Sequence, residues 1–245
     1  NPRWEGRDRV VLSKGHAGPA WYAALAESGF FGRDMLLTLN QGHTDLPSHP
    51  DRLKTPGVDM TTGSLGQGCS TAAGIAYANR LKGSDAYTYL IVGDGELNEG
   101  QCWEAFQFIA HNRLNRCIVI IDDNKKQLDG YTADVMNPFD IAGKMRAFGF
   151  ATQRVNGQDV VALDAAITCA KHTEDSAVAI VMDTVKGAGV PYFEQLMDNH
   201  SVKFNAEAKA AAEAALAELE AVIEGSRACC SPSPRTVPTS RPSSA

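Results

Sequence analysis

Two kinds of hydrophobic segment alternate along the chain. Short continuous apolar runs stand at Tyr87 to Val92 (YTYLIV), Cys117 to Ile121 (CIVII) and Val178 to Thr184 (VAIVMDT), and a further short strand is predicted at Thr152 to Val155. Unbroken apolarity, as opposed to strict alternation, is what a strand covered on both faces needs. Between these runs the period lengthens. Trp103, Phe106, Ala110 and Leu114 recur at i, i+3, i+7 and i+11, and Leu163, Ile167 and Ala170 follow Asp159, a suitable N-cap. The stretch from Gly66 to Leu81 is rich in small residues and predicts a helix packed closely against a neighbour. Strand–helix–strand alternation predicts an α/β fold, a parallel sheet with helices on both faces. Ligands of such sheets gather beyond the carboxyl ends of the strands. Gly93-Asp94-Gly95-Glu96 and Asp122-Asp123-Asn124 both fall at such ends.

The pattern changes towards the C-terminus. An Ala/Glu-rich stretch over Ala206 to Glu224 predicts a peripheral helix, and from Gly225 onward Ser, Pro, Thr and Arg dominate without any acidic residue. Such a composition cannot bury a core, so three regions are expected: a ligand-binding domain over 1–204, the helix over 205–224 and a disordered tail over 225–245. The chain opens on Asn1, not Met, and the tail reads as foreign to the rest, so the 245 residues are expected to be an N-terminally incomplete unit. No apolar run is long enough to span a bilayer, which argues against a membrane protein. With 23 Lys and Arg against 29 Asp and Glu the formal charge is −6, which argues against nucleic acid as the main partner. The six cysteines form no CxxC pair and do not cluster with the histidines. Cys69, Cys102, Cys117 and Cys169 lie in apolar or small-residue surroundings, so buried reduced thiols and a cytoplasmic location are expected.

The candidate chemistry begins with Asp94 and Asn124, 30 positions apart on successive strand ends. Mg²⁺ takes about six oxygens and seldom a full protein cage. A carboxylate, an amide oxygen and a nearby backbone carbonyl would fill half its shell, leaving the rest to a diphosphate and water. The glycines beside Asp94 let backbone N–H groups approach phosphate oxygens. A Gly-Asp-Gly triplet alone is more often a turn than a metal site; the second oxygen-rich cluster on the next strand is what favours the metal. An EF-hand fails because Glu99 and Ala105 stand where Gly and Glu are required, and no GxxxxGK[ST] loop exists. Three further strings stand out: Leu12-Ser13-Lys14-Gly15-His16-Ala17, Ser48-His49-Pro50 and Thr61-Thr62-Gly63-Ser64-Leu65-Gly66-Gln67-Gly68. The last reads either as a glycine-rich helix start or as a loop that lets a ligand lie on backbone. His43, His111 and His172 have no such context.

The strings RDRVVLSKGHAGPAWYAAL, GVDMTTGSLGQG, GDGELNEGQCWEA and DDNKKQLDG, in this order, resemble transketolase, and more narrowly the N-terminal, diphosphate-binding subunit of split bacterial transketolases. The resemblance runs to about residue 204 and implies the thiamine diphosphate-binding fold. It implies thiamine diphosphate with Mg²⁺ or Ca²⁺ as cofactors, and transfer of a two-carbon ketol unit from a ketose phosphate to an aldose phosphate. By this likeness Asp94 and Asn124 are side-chain metal ligands and Lys126 gives its backbone carbonyl. Gly93, Asp94, Gly95, Glu96 and Asn124 surround the diphosphate; Gly63, Ser64 and Leu65 touch the rings; His16 and His49 handle substrate protons. His200 matches a further cofactor-binding histidine, although the string NHSVKF departs from the usual His-Gly ending, and Glu99 matches a carboxylate linking the two sites of a dimer.

The departures also count. Ser64 replaces the Pro common in full-length transketolases, as in split forms, and the family's opening Ser-Gly-His-Pro motif is missing. The pyrimidine-binding domain and its activating Glu are missing too, which implies a C-terminal partner subunit and a dimer of such pairs. Two other readings stay open: a deoxyxylulose-phosphate synthase-like or 2-oxoacid dehydrogenase-like component, and a non-catalytic cofactor-binding fragment.

Overall fold

The computed structural model describes residues 4–229, with side chains described as far as 222. The chain divides into two compact units, Asn1–Ala188 and Gly189–Ala245. The first unit runs through β1 (Arg9–Leu12), α1 (Gly18–Glu27), α2 (Gln67–Leu81), β2 (Thr88–Gly93), α3 (Gly100–His111) and β3 (Cys117–Asp123). A two-residue hairpin of β4 (Lys126–Gln127) and β5 (Gly130–Tyr131) follows, then α4 (Thr132–Val135), α5 (Ile141–Ala147), β6 (Ala151–Asn156), α6 (Val160–Lys171) and β7 (Val178–Asp183). The second unit holds α7 (Pro191–Gln195) and α8 (Ala206–Cys229).

The main sheet is ordered β1-β2-β3-β7-β6 and every pair in it is parallel. Side chains alternate across it. Leu90, Val92, Val119, Ile121, Ala179 and Val181 share one core with Cys69, Ala72, Phe106, Ile109 and Met145 of α2, α3 and α5. Ile118, Ile120, Val178 and Ile180 share the other with Ala166 and Ala170 of α6. Helices therefore cover both faces, as the unbroken apolar runs require, and each large side chain taken fully out of water contributes about 1.5–3 kcal/mol. β1 carries little signal of its own, being four residues long and opening on Arg9; it is held as a strand by pairing in register with Thr88 to Ile91. The small residues of α2 let it approach closely, and a Cβ on Gly68 would sit 2.5 Å from Ser13 Oγ.

A third cluster, built on Tyr22, Leu25, Leu46 and Val58, anchors α1 and the long segment before α2. There Tyr22 Oη donates to the Pro47 carbonyl at 2.7 Å and fixes the approach to His49.

Several expectations shift. Cys69, Cys102 and Cys117 are buried free thiols, but Cys169 is exposed, because α6 turns Ala166 and Ala170 to the sheet and leaves Cys169 on its outer side. Leu114 lies past the end of α3 and reaches the core through a turn in which Arg113 takes φ 48°. α8 continues to Cys229, past the expected end at Glu224. The predicted disorder of 230–245 lies outside the described residues. Among the described residues no helix is long and apolar enough to cross a membrane.

Candidate functional site

The carboxyl ends of β1, β2, β3 and β7 bring the predicted groups together. The register pairs Gly93 with Asp122, and the Asp94 N–H donates to the Asp122 carbonyl at 3.0 Å, so the two oxygen-rich clusters are adjacent. Asp94 is 2% exposed. Its Oδ1 accepts the Gly95 N–H at 2.8 Å and its Oδ2 accepts the Lys125 N–H at 2.7 Å. Lys125 takes φ 66° to turn that N–H inward. Burial raises the Asp94 carboxyl to about 6 against the pull of those two N–H groups, and Asp123 and Asp122 push it the same way. Asn124 Oδ1 accepts the Lys126 N–H at 3.1 Å and Asn124 Nδ2 donates to Asp122 Oδ2 at 3.2 Å, which sets the amide oxygen towards the turn that carries the Lys126 carbonyl.

These residues fit a divalent cation. Asp122 is held by the Lys14 ammonium and the Thr184 hydroxyl, and Asp123 by Lys125 at 2.5 Å and Arg154 at 3.0 Å. Asp94 instead sits on backbone N–H groups with its charge disfavoured by burial, a cost that a bound metal would offset. A carboxylate, an amide oxygen and a carbonyl are the hard oxygen donors that Mg²⁺ or Ca²⁺ prefers.

Histidines line the other side. His16 and His49 meet edge to face with ring centroids 4.6 Å apart. Gly63, at φ 135°, passes so close to His49 that a Cβ there would meet the ring at 2.9 Å. Partial burial lowers the His16 pKa, and the nearby His49, Lys186 and Lys14 lower it further, so its neutral ring is favoured near pH 7. Ser64 is exposed and Leu65 half-buried on the loop between Gly63 and α2.

Gly15 closes this side, since a Cβ there would lie 2.7 Å from the Gly63 nitrogen and 2.9 Å from its Cα, both backbone. Gly15→Ala is accordingly expected to cost about 1–3 kcal/mol. That corresponds to a melting point lower by about 2–12 °C; an unchanged melting point would contradict this packing.

Glu96 does not point at the metal loop. It is 3% exposed, and its carboxylate accepts from Ser13 Oγ at 2.5 Å, the Gly66 N–H at 2.8 Å and the Gly93 N–H at 3.2 Å. Glu99 lies beside the start of α2, where a Cβ on Gly66 would come within 3.2 Å of its own Cβ. His200 belongs to the second unit, between α7 and α8.

The roles of two residues of the site are not legible in the sequence. Lys14 reaches Asp122 from the end of β1. Lys186, just after β7, has its pKa lowered, first by burial and next by Lys14, with Asp94 and Asp122 pulling the other way. A lysine three residues past a strand end is a weak cue by itself; with the sheet order known, β7 beside β3 would have drawn attention to it.

Residues 1–218 match the family model described as transketolase, thiamine diphosphate binding domain, and the chain belongs to that family. It is 45% identical over 221 residues to a 6-deoxy-6-sulfo-D-fructose transketolase subunit of a Clostridium species, covering 90% of this chain and 79% of the relative. It is 37% identical to an apulose-4-phosphate transketolase subunit of Actinobacillus succinogenes, covering 77% of this chain and 68% of that one. The solved transketolase of Leishmania mexicana superimposes with a TM-score of 0.74 at 37% identity, over 78% of this chain. This chain spans only 30% of the Leishmania chain.

Proposed function

We propose that the chain is the diphosphate-binding subunit of a two-chain transketolase, which moves a two-carbon ketol unit from a ketose phosphate or similar anionic ketose to an aldose phosphate. The observation that carries this reading is the convergence, beyond neighbouring strand ends, of an oxygen-donor set built around the buried Asp94 with a contacting histidine pair. The two relatives named as subunits support the split, and both of their names specify an anionic sugar. The reading includes a cytoplasmic enzyme with thiamine diphosphate and Mg²⁺ or Ca²⁺, a C-terminal partner subunit that carries the pyrimidine-binding domain, and a dimer of such pairs.

In this reading Asp94, Asn124 and the Lys126 carbonyl hold the metal. Gly93 and Gly95 keep the turn open to the diphosphate, and Lys14 and Lys186 bring positive charge to it. The Gly63-Ser64-Leu65 loop faces the cofactor rings. Thiamine diphosphate supplies, when bound, the electron sink for carbon–carbon cleavage. His16, held neutral, carries a ring nitrogen lone pair that can take a substrate hydroxyl proton and return it, and His49, in contact with it, orients the hydroxyl.

The test is a calorimetric titration of thiamine diphosphate into the chain with Mg²⁺ and with a chelator. Binding with Mg²⁺ that weakens at least tenfold under chelation is expected. No binding in either condition, or binding indifferent to metal, would remove the basis of this reading.

A further inference from the structure

Glu96 is a buried carboxylate, and three parts of the chain end on it. β1 stops at Leu12, paired with Ile91, so the N–H of Gly93, two residues further along β2, lies beyond the last β1 partner. Glu96 Oε2 accepts that N–H. Gly66 is the N-cap of α2 in a left-handed conformation, φ 80°, with no side chain capping the helix, and Glu96 Oε1 accepts its N–H. The Ser13 hydroxyl, buried at the end of β1, donates to the same oxygen. A buried N–H or hydroxyl left without a partner costs free energy, so one carboxylate resolves three such demands at once. Two thiols fill the space around it: Cys102 Sγ donates to the Glu96 carbonyl at 3.3 Å and Cys69 Sγ lies 3.8 Å from Ser13 Oγ. Cys69, Glu96 and Cys102 have the spacing of a metal cluster, but three donors already occupy the carboxylate.

Each donor adjoins a different part of the site. Ser13 is three residues before His16, Gly66 three residues after Gly63, and Gly93 directly before Asp94. We infer that Glu96 is a positioning residue: by holding Ser13, Gly66 and Gly93 on one carboxylate it sets the spacing between the proton-handling histidine, the loop that faces the cofactor rings and the metal ligand. This inference rests on the proposed thiamine diphosphate site. It also revises the expectation that Glu96 binds the cofactor directly, since its oxygens serve the protein.

The experiment uses the full chain, with amide hydrogen exchange by NMR in the absence of metal and calorimetry with thiamine diphosphate and Mg²⁺. In Glu96→Ala the Gly66 and Gly93 amides are expected to exchange at least tenfold faster, amides of α6 to keep their rates, and cofactor affinity to fall at least tenfold. Glu96→Gln preserves volume and carries the test if the alanine variant does not fold. Its amide oxygen can still serve Ser13 and Gly66 while its NH₂ opposes the Gly93 N–H, so Gly93 is expected to be released while Gly66 stays protected. Ser13→Ala is expected to weaken cofactor binding less than Glu96→Ala, and to add nothing once Glu96 is gone.

Unchanged affinity in both Glu96 variants, or exchange accelerated equally throughout the chain, would overturn the positioning role. Failure of the underlying site would show separately, as a wild-type chain that does not bind the cofactor.

Discussion

Asp94→Ala is expected to abolish metal-dependent binding of thiamine diphosphate while leaving the chain folded. Asp94 is the one carboxylate in the proposed metal set, and without it the ion would rest on two neutral oxygens, from Asn124 and Lys126. The folding side of the prediction depends on two opposing effects. The Asp94 carboxyl is raised to about 6 by burial, so its ionised form weighs against the metal-free fold as pH rises through 6, by about 3 kcal/mol at pH 7. Removing it relieves that burden but leaves the N–H groups of Gly95 and Lys125 without their acceptor, at about 1–3 kcal/mol each. The two effects largely offset, so the variant keeps its structure. Thermal melting gives the readout. At ligand one hundred times above Kd, wild type should gain about 2.7 kcal/mol. That is a melting point higher by about 5–10 °C for a chain of this size. The variant should show no ligand-dependent rise. An equal rise in both would displace Asp94 from the metal site.

Asp94 and Asn124 could be picked out of the sequence because their chemistry coincides with strong strands. β2, β3 and β7 are covered on both faces and therefore read as unbroken apolar runs, and the clusters sit where those runs stop. β1 could not be recognised in the same way, since its four residues owe their conformation to pairing with β2. Lys14 and Lys186 were hidden for a related reason: each becomes part of the site only through strand order, which places the ends of β1 and β7 on either side of β2 and β3. The part played by Glu96 was furthest from view. It sits inside the most conspicuous motif, yet two of its three partners lie 83 and 30 residues away, which local sequence does not reveal. Cys169 shows the converse, where local apolar surroundings suggested burial and the face of α6 decided otherwise.

The carboxylates around the site are already engaged within the chain. Asp122 is taken up by Lys14 and Thr184, Asp123 by Lys125 and Arg154, and Glu96 by Ser13, Gly66 and Gly93. Asp94 belongs to the proposed metal. Under the proposed two-chain reading, the group that exchanges a proton with the cofactor ring furthest from the diphosphate belongs to the partner subunit that carries the pyrimidine-binding domain. General acid–base groups typically contribute a factor of about 10²–10⁴. The chain alone, with thiamine diphosphate and Mg²⁺, is therefore expected to transfer ketol units at no more than about 1% of the rate reached when that second chain is added. Titrating the partner at fixed chain concentration should give a rate that saturates near one partner per chain. His16→Ala and His49→Ala should each lower the saturated rate without shifting that stoichiometry, because both histidines sit on this chain's side of the site. Full activity from the chain alone would overturn the two-chain reading. A partner that stimulated pyruvate decarboxylation but not ketol transfer would reassign the chain to a different thiamine diphosphate enzyme.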